Sequence, residues 1–152
     1  MSAVYFRAGN NRSVAVDLNP NQSFNKLIYD VVNFNSSSMY NTSTGVFTVP
    51  STGVYKVCIQ VLVEHNPQFY TGELRLRNTT TNTTLSQTMA RNENGGSGEE
   101  YMYQLSTLIS VSANDQIEVQ FRSLNNPNQI KWRPDLTGND GTGTSEFCVF
   151  KL

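Results

Sequence analysis

Hydrophobic and polar residues alternate along most of this chain, and the longest unbroken alternation lies near its middle. Tyr55, Val57, Ile59, Val61 and Val63 fall on one side of that stretch, while Val54, Lys56, Cys58, Gln60 and Leu62 fall on the other. Successive side chains leave a pleated backbone on opposite faces, so this period of two predicts a long strand. A short strand precedes it and ends at Pro50, and a turn containing Gly53 joins the two.

The pattern recurs on both sides of this strand. Residues 3–8 and 13–18 read as two short strands parted by Gly9, Asn10 and Asn11. Asn19, Pro20 and Asn21 break the chain, because proline gives no hydrogen bond to a ladder and asparagine favours turns. Residues 26–33 predict the next strand, with Leu27, Tyr29 and Val31 on one face. Residues 72–78 alternate cleanly, Leu74 and Leu76 inward and Glu73, Arg75 and Arg77 outward, and residues 85–90 return as a partner. Three glycines among residues 92–98 mark a loop. Residues 101–111 and 116–122 form a strand pair around Asn114 and Asp115. Residues 123–144 read as a long loop, interrupted by Ile130, Lys131, Trp132 and Arg133.

The closing segment breaks the rule. Phe147, Cys148, Val149 and Phe150 are apolar on both faces. A strand of that kind is covered on both sides, and a second subunit is the expected outer cover. No stretch carries helical periodicity and no repeat appears. About ten short strands spaced by turns predict an all-β fold, a two-sheet antiparallel jelly-roll sandwich filling residues 1–152 as one domain.

Charge narrows the partners. The net charge is -1 and charged residues make up 15% of the chain, so nothing marks it for nucleic acid or an anionic membrane. Asn, Ser, Thr and Gln fill the segments between apolar runs. A neutral polar surface of this kind suits an extracellular or virion-surface protein. No apolar run approaches the roughly 20 residues of a membrane helix, and residues 1–9 lack the basic start and apolar centre of a secretory signal.

Candidate chemistry is sparse. Cys58 and Cys148 fall inside expected strands with no Cys-x-x-Cys or Cys/His cluster, so they read as two buried thiols or as one cross-strand disulfide, and no metal site is expected. His65 is the single histidine and reads as a surface residue. Glu99 and Glu100 are adjacent on a strand and face opposite ways, so they are no catalytic pair. Asp135 to Asp140 offers oxygen ligands without calcium-loop spacing. No enzyme activity and no cofactor are expected. Trp132 with Lys131 and Arg133 reads as the candidate ligand-binding patch, an aromatic beside cations that could stack on a sugar or anchor a protein. The competing reading packs Trp132 into the rim of the sandwich or a subunit interface. Asn-x-Ser/Thr sequons at Asn11, Asn21, Asn35, Asn41, Asn78 and Asn82 matter only in a secreted eukaryotic protein.

One run of residues resembles a known family. Tyr29, Asn35, Tyr40, Phe47, Gly53 and Tyr55 follow the spacing of the signature of the globular domain of complement component 1q, with Tyr29 where the family usually has Phe. Val57 and Ile59 stand where aromatics are preferred, Asn114 and Asp115 replace a Gly-Asp turn, and Val149 replaces a common Gly. The resemblance extends from about residue 3 to residue 152. It implies a ten-stranded jelly roll shared with the tumour necrosis factor ligands, assembled as a homotrimer, and a binding role without chemistry. The signature residues themselves read as structural, with Gly53 expected at positive φ. Tyr5, Tyr101, Tyr103, Phe147 and Phe150 are the expected trimer seam. The implied function is a trimeric surface recognition head, a viral or phage spike or fibre knob or a bacterial filament tip, binding a host-surface protein or glycan. A secreted animal-type ligand or pattern-recognition protein and a purely structural coat component are the alternatives.

Overall fold

The computed structural model describes residues 4–9, 16–18, 22–35, 38–66, 70–92, 99–124, 129–133 and 145–152. Every regular element among them is a strand: β1 (Tyr5–Gly9), β2 (Val16–Leu18), β3 (Asn25–Lys26), β4 (Val31–Asn35), β5 (Tyr40–Asn41), β6 (Val46–Thr48), β7 (Gly53–Asn66), β8 (Tyr70–Asn78), β9 (Thr83–Asn92), β10 (Glu99–Val111), β11 (Gln116–Ser123), β12 (Gln129–Arg133) and β13 (Glu146–Lys151). The excess over ten comes from short pieces such as β3 and β5.

The predicted long strand is the axis of the first sheet. β10 pairs antiparallel with β7 from Glu99↔His65 to Val111↔Gly53. The other edge of β7 is shared by β13, in register from Glu146↔Gln60 to Lys151↔Tyr55, and by β12, from Gln129↔Asn66 to Arg133↔Leu62. β1 and then β4 extend the sheet beyond β13, and β2 extends it beyond β12. In the second sheet the order is β5-β6-β11-β8-β9, and β3 also pairs with β11. Two antiparallel sheets facing each other give the jelly roll that the alternation predicts.

The core lies between the sheets. Tyr55, Val57, Ile59, Val61 and Val63 of β7 meet Leu74 and Leu76 of β8 and Ile117, Val119 and Phe121 of β11 in one buried cluster. Aromatic rings gather around Phe147, whose ring centroid lies 5.3 Å from Phe6, 5.9 Å from Tyr29 and 6.2 Å from Phe47. Edge and tilted packing of this kind adds to the area the rings bury.

Three expectations change. Residues 26–33 are not one strand. β3 pairs with β11 in the second sheet and β4 with β1 in the first, so residues 27–30 cross the gap between them. Leu27 N–H still donates to the Val119 carbonyl, while Tyr29 Oη donates to the Gln60 carbonyl on the opposite sheet. Both side chains are buried by the crossing. Residues 130–133, expected only as an interruption of a long loop, lie in a strand, β12. Gly53 is not at positive φ; Gly45 holds that conformation, at 71°. A Cβ at 53 would lie 2.7 Å from Lys151 Cε, the end of a flexible side chain that can move aside.

Candidate functional site

Parity decides which aromatic residues the molecule offers to a partner. In β10, Tyr103 pairs with Val61, a core-facing residue, and is itself only 2% exposed. Phe147 pairs with Ile59 and is fully buried, and Tyr101 packs against the same core from its edge. Tyr103 and Phe147 are therefore buried between the sheets, and Tyr101 lies half-buried at their edge. The alternation in sequence places them together on a strand face without saying which face is inward.

Tyr5 and Phe150 do lie on the outer face of the first sheet. They are register partners with ring centroids 4.7 Å apart, and the Phe34 ring stands 4.7 Å from Tyr5 on its other side. Leu108 and Phe150 both pair with Lys56, which sets them in one row across the sheet. Phe34, Val54, Leu108 and Leu152 are 49%, 43%, 59% and 72% exposed. Five strands thus contribute apolar side chains to one end of this face, with Lys56 standing in the row between Leu108 and Phe150. Phe34, Val54, Leu108 and Leu152 are members that single-strand reasoning missed, because only the pairing of different strands brings them to one face.

Beyond the patch the same face turns polar. The Arg7 guanidinium donates to Glu146 at 2.9 Å, and that hydrogen bond and charge hold the Arg7 pKa above its ordinary value. Cys58 and Cys148 sit between this pair and the apolar end, both as free thiols. Burial first, and the Glu146 carboxylate second, push the Cys148 thiol pKa upward.

The candidate ligand-binding patch is reorganised. Trp132 pairs with Val63 and so points inward, 1% exposed, with its ring edge on Tyr29 at 5.1 Å. Its indole N–H donates to Ser145 Oγ at 3.0 Å, and that hydroxyl also accepts the Leu62 N–H. An indole held this way offers no stacking surface to a ligand. Lys131 points to the outer face and is half-buried. The side chains of Arg133 and His65 and the calcium candidate at residues 135–140 lie outside the described residues. Asn78 is buried and its amide donates to Asp115 Oδ2 at 2.9 Å, so that sequon is closed to a glycan.

On the outer face of the second sheet an open groove of about 860 Å³ runs between β3 and the β5–β6 hairpin. Its walls carry Thr42, Thr44, Thr48 and Gln116, and Lys26 and Glu118 form an ion pair of 3.4 Å within it. Beside it the Arg75 and Arg122 guanidinium carbons lie 3.4 and 4.3 Å from the Phe24 ring centroid. Glu73, buried beneath them, accepts from Arg122 at 2.7 Å. These groups are matched among themselves. Among the described residues no three His, Cys, Asp or Glu side chains come together as a metal site would require.

The C1q domain family matches residues 9–133. Among solved structures, the Eiger TNF of S. frugiperda is similar over 100% of this chain and 94% of its own, at 16% identity and a TM-score of 0.68. Murine APRIL is similar over 99% of this chain and 100% of its own, at 14% identity and a TM-score of 0.67. The globular domain of a zebrafish complement 1qA protein is similar over 98% and 97%, at 11% identity and a TM-score of 0.64. No curated protein matches the chain.

Proposed function

Because the chain belongs to the C1q domain family, we propose that it works as a homotrimeric recognition head that binds a macromolecular partner outside the cell. Domains of this family are ligand and recognition modules and not enzymes. The observation that carries the reading is the apolar end of the first sheet's outer face, around Tyr5, Phe34, Leu108 and Phe150. Exposed apolar patches of this kind mark contact surfaces. Two further copies of the chain are the occupants the family suggests.

With that face covered, the second sheet and the loops between strands are left for the partner. Their neutral hydroxyl and amide groups suit a glycan or a host-surface protein. A viral, phage or bacterial attachment head fits this arrangement, and so does a secreted ligand of animal type, which the C1q family match supports. Glycan-array and cell-binding measurements on the assembled protein test the reading. Binding that is lost when Phe34→Glu and Leu108→Glu disperse the subunits supports a multivalent head. An intact trimer that binds neither glycans nor cells supports a structural coat component instead.

A further inference from the structure

Cys58 and Cys148 are far apart in sequence and face each other in space. They are register partners on β7 and β13, and the pairs on either side of them, Val57↔Val149 and Ile59↔Phe147, turn into the core. The two cysteines therefore share the outer face of the first sheet. Directly opposite residues on antiparallel strands hold their Cα atoms about 4.5–5.5 Å apart. A disulfide needs about 4.4–6.8 Å, so the backbone already meets its requirement. In the reduced state each thiol is turned aside: Cys148 donates to Glu146 Oε1 at 2.6 Å, and Cys58 Sγ lies 3.8 Å from Ser106 Oγ. Side-chain rotation separates this arrangement from a bonded one. The chain has two cysteines, so no other intramolecular pairing competes.

We propose that Cys58 and Cys148 are a dithiol–disulfide pair, closed by a small-molecule disulfide of the glutathione type, and that closing it staples β13 to β7. Cys58 is the more exposed thiol and reacts first. Its thiolate attacks one sulfur of glutathione disulfide, releasing one glutathione thiolate and leaving a mixed disulfide on Cys58. Cys148 then gives up its proton and attacks Cys58 Sγ. The bond to glutathione breaks, and the second glutathione leaves with the electron pair and takes up a proton. Two protein thiols are oxidised and one glutathione disulfide is reduced to two thiols. The thiolate is the nucleophile, and both burial and the Glu146 carboxylate keep Cys148 protonated. The second step is therefore the slow one, and Glu146 restrains it. The bond closes a long loop of chain, the case in which a cross-link restricts the unfolded state most.

The test is refolding of the reduced, denatured full chain in a glutathione redox buffer at neutral pH, followed by acid quench, intact mass and peptide mapping. The expected product is natively folded by circular dichroism, lighter by two hydrogens, and yields one linked peptide pair containing residues 58 and 148. Dithiothreitol then lowers its melting temperature. Cys58→Ser and Cys148→Ala each keep one thiol or carry one glutathione, and Glu146→Gln closes faster at the same pH. Refolded chain with both thiols open to alkylation, with two glutathione adducts, or with a link between chains overturns the proposal. Where a variant fails to refold, the wild-type mass and peptide map decide alone.

Discussion

Gly72 has no room for a side chain: a Cβ built there would collide with the hydroxyl end of Tyr103, a buried residue that has nowhere to retreat. Gly72→Ala is expected to cost about 1–3 kcal/mol, the usual range for overpacking a core, in chemical denaturation. Adding Tyr103→Ala removes the clashing group, so the double variant loses less than the sum of the two single ones. Tyr29 carries a pH dependence. Its phenol is fully buried, and that burial holds its pKa well above the ordinary 10.0. The folded state therefore favours the neutral form. That contribution is complete below the ordinary value and is lost as pH rises through it toward the raised folded one. A falling melting temperature above about pH 10, with a shallower fall in Tyr29→Phe, is the expected result.

β12 is the element that periodicity undersells. Five residues between long loops give too little alternation to stand out, yet Trp132 anchors them by burying its ring against Tyr29 and bonding to Ser145. Trp132→Ala is expected to cost about 3–5 kcal/mol, as removal of a buried aromatic does, while leaving partner binding by the folded protein unchanged. Strands with an unbroken period of two, β7, β8, β10 and β11, are legible because their alternation reports a local property of the backbone. Which side of a strand faces the second sheet is not local. Tyr103 and Phe150 look alike in sequence, but one is turned into the core and the other out of it by register with β7. The break at residues 27–30 has the same origin, since a segment passing between sheets keeps its apolar face without keeping a ladder. The spacing from Tyr29 to Tyr55 carries the family where alternation alone carries only the class. Cys58 facing Cys148 needed the pairing of β7 with β13, which no spacing along the chain reveals.

At the scale of the whole molecule, a chain with a net charge of -1 has little self-repulsion to keep copies apart. Its first sheet leaves Phe34, Leu108 and Leu152 uncovered beside the Tyr5–Phe150 stack. Such a face at low net charge favours association, and the proposed homotrimer would be its closed form. Substituting exposed residues away from the core changes stability little, usually within about 0.5 kcal/mol, so assembly can be separated from folding. The direct measurement is light scattering on the purified chain at micromolar concentration, beside the Phe34→Glu, Leu108→Glu variant. The wild type is expected at three times 17.0 kDa and the variant at 17.0 kDa with an unchanged circular dichroism spectrum. A wild-type monomer, or a variant that keeps the trimer mass, contradicts the assignment of this face as the seam.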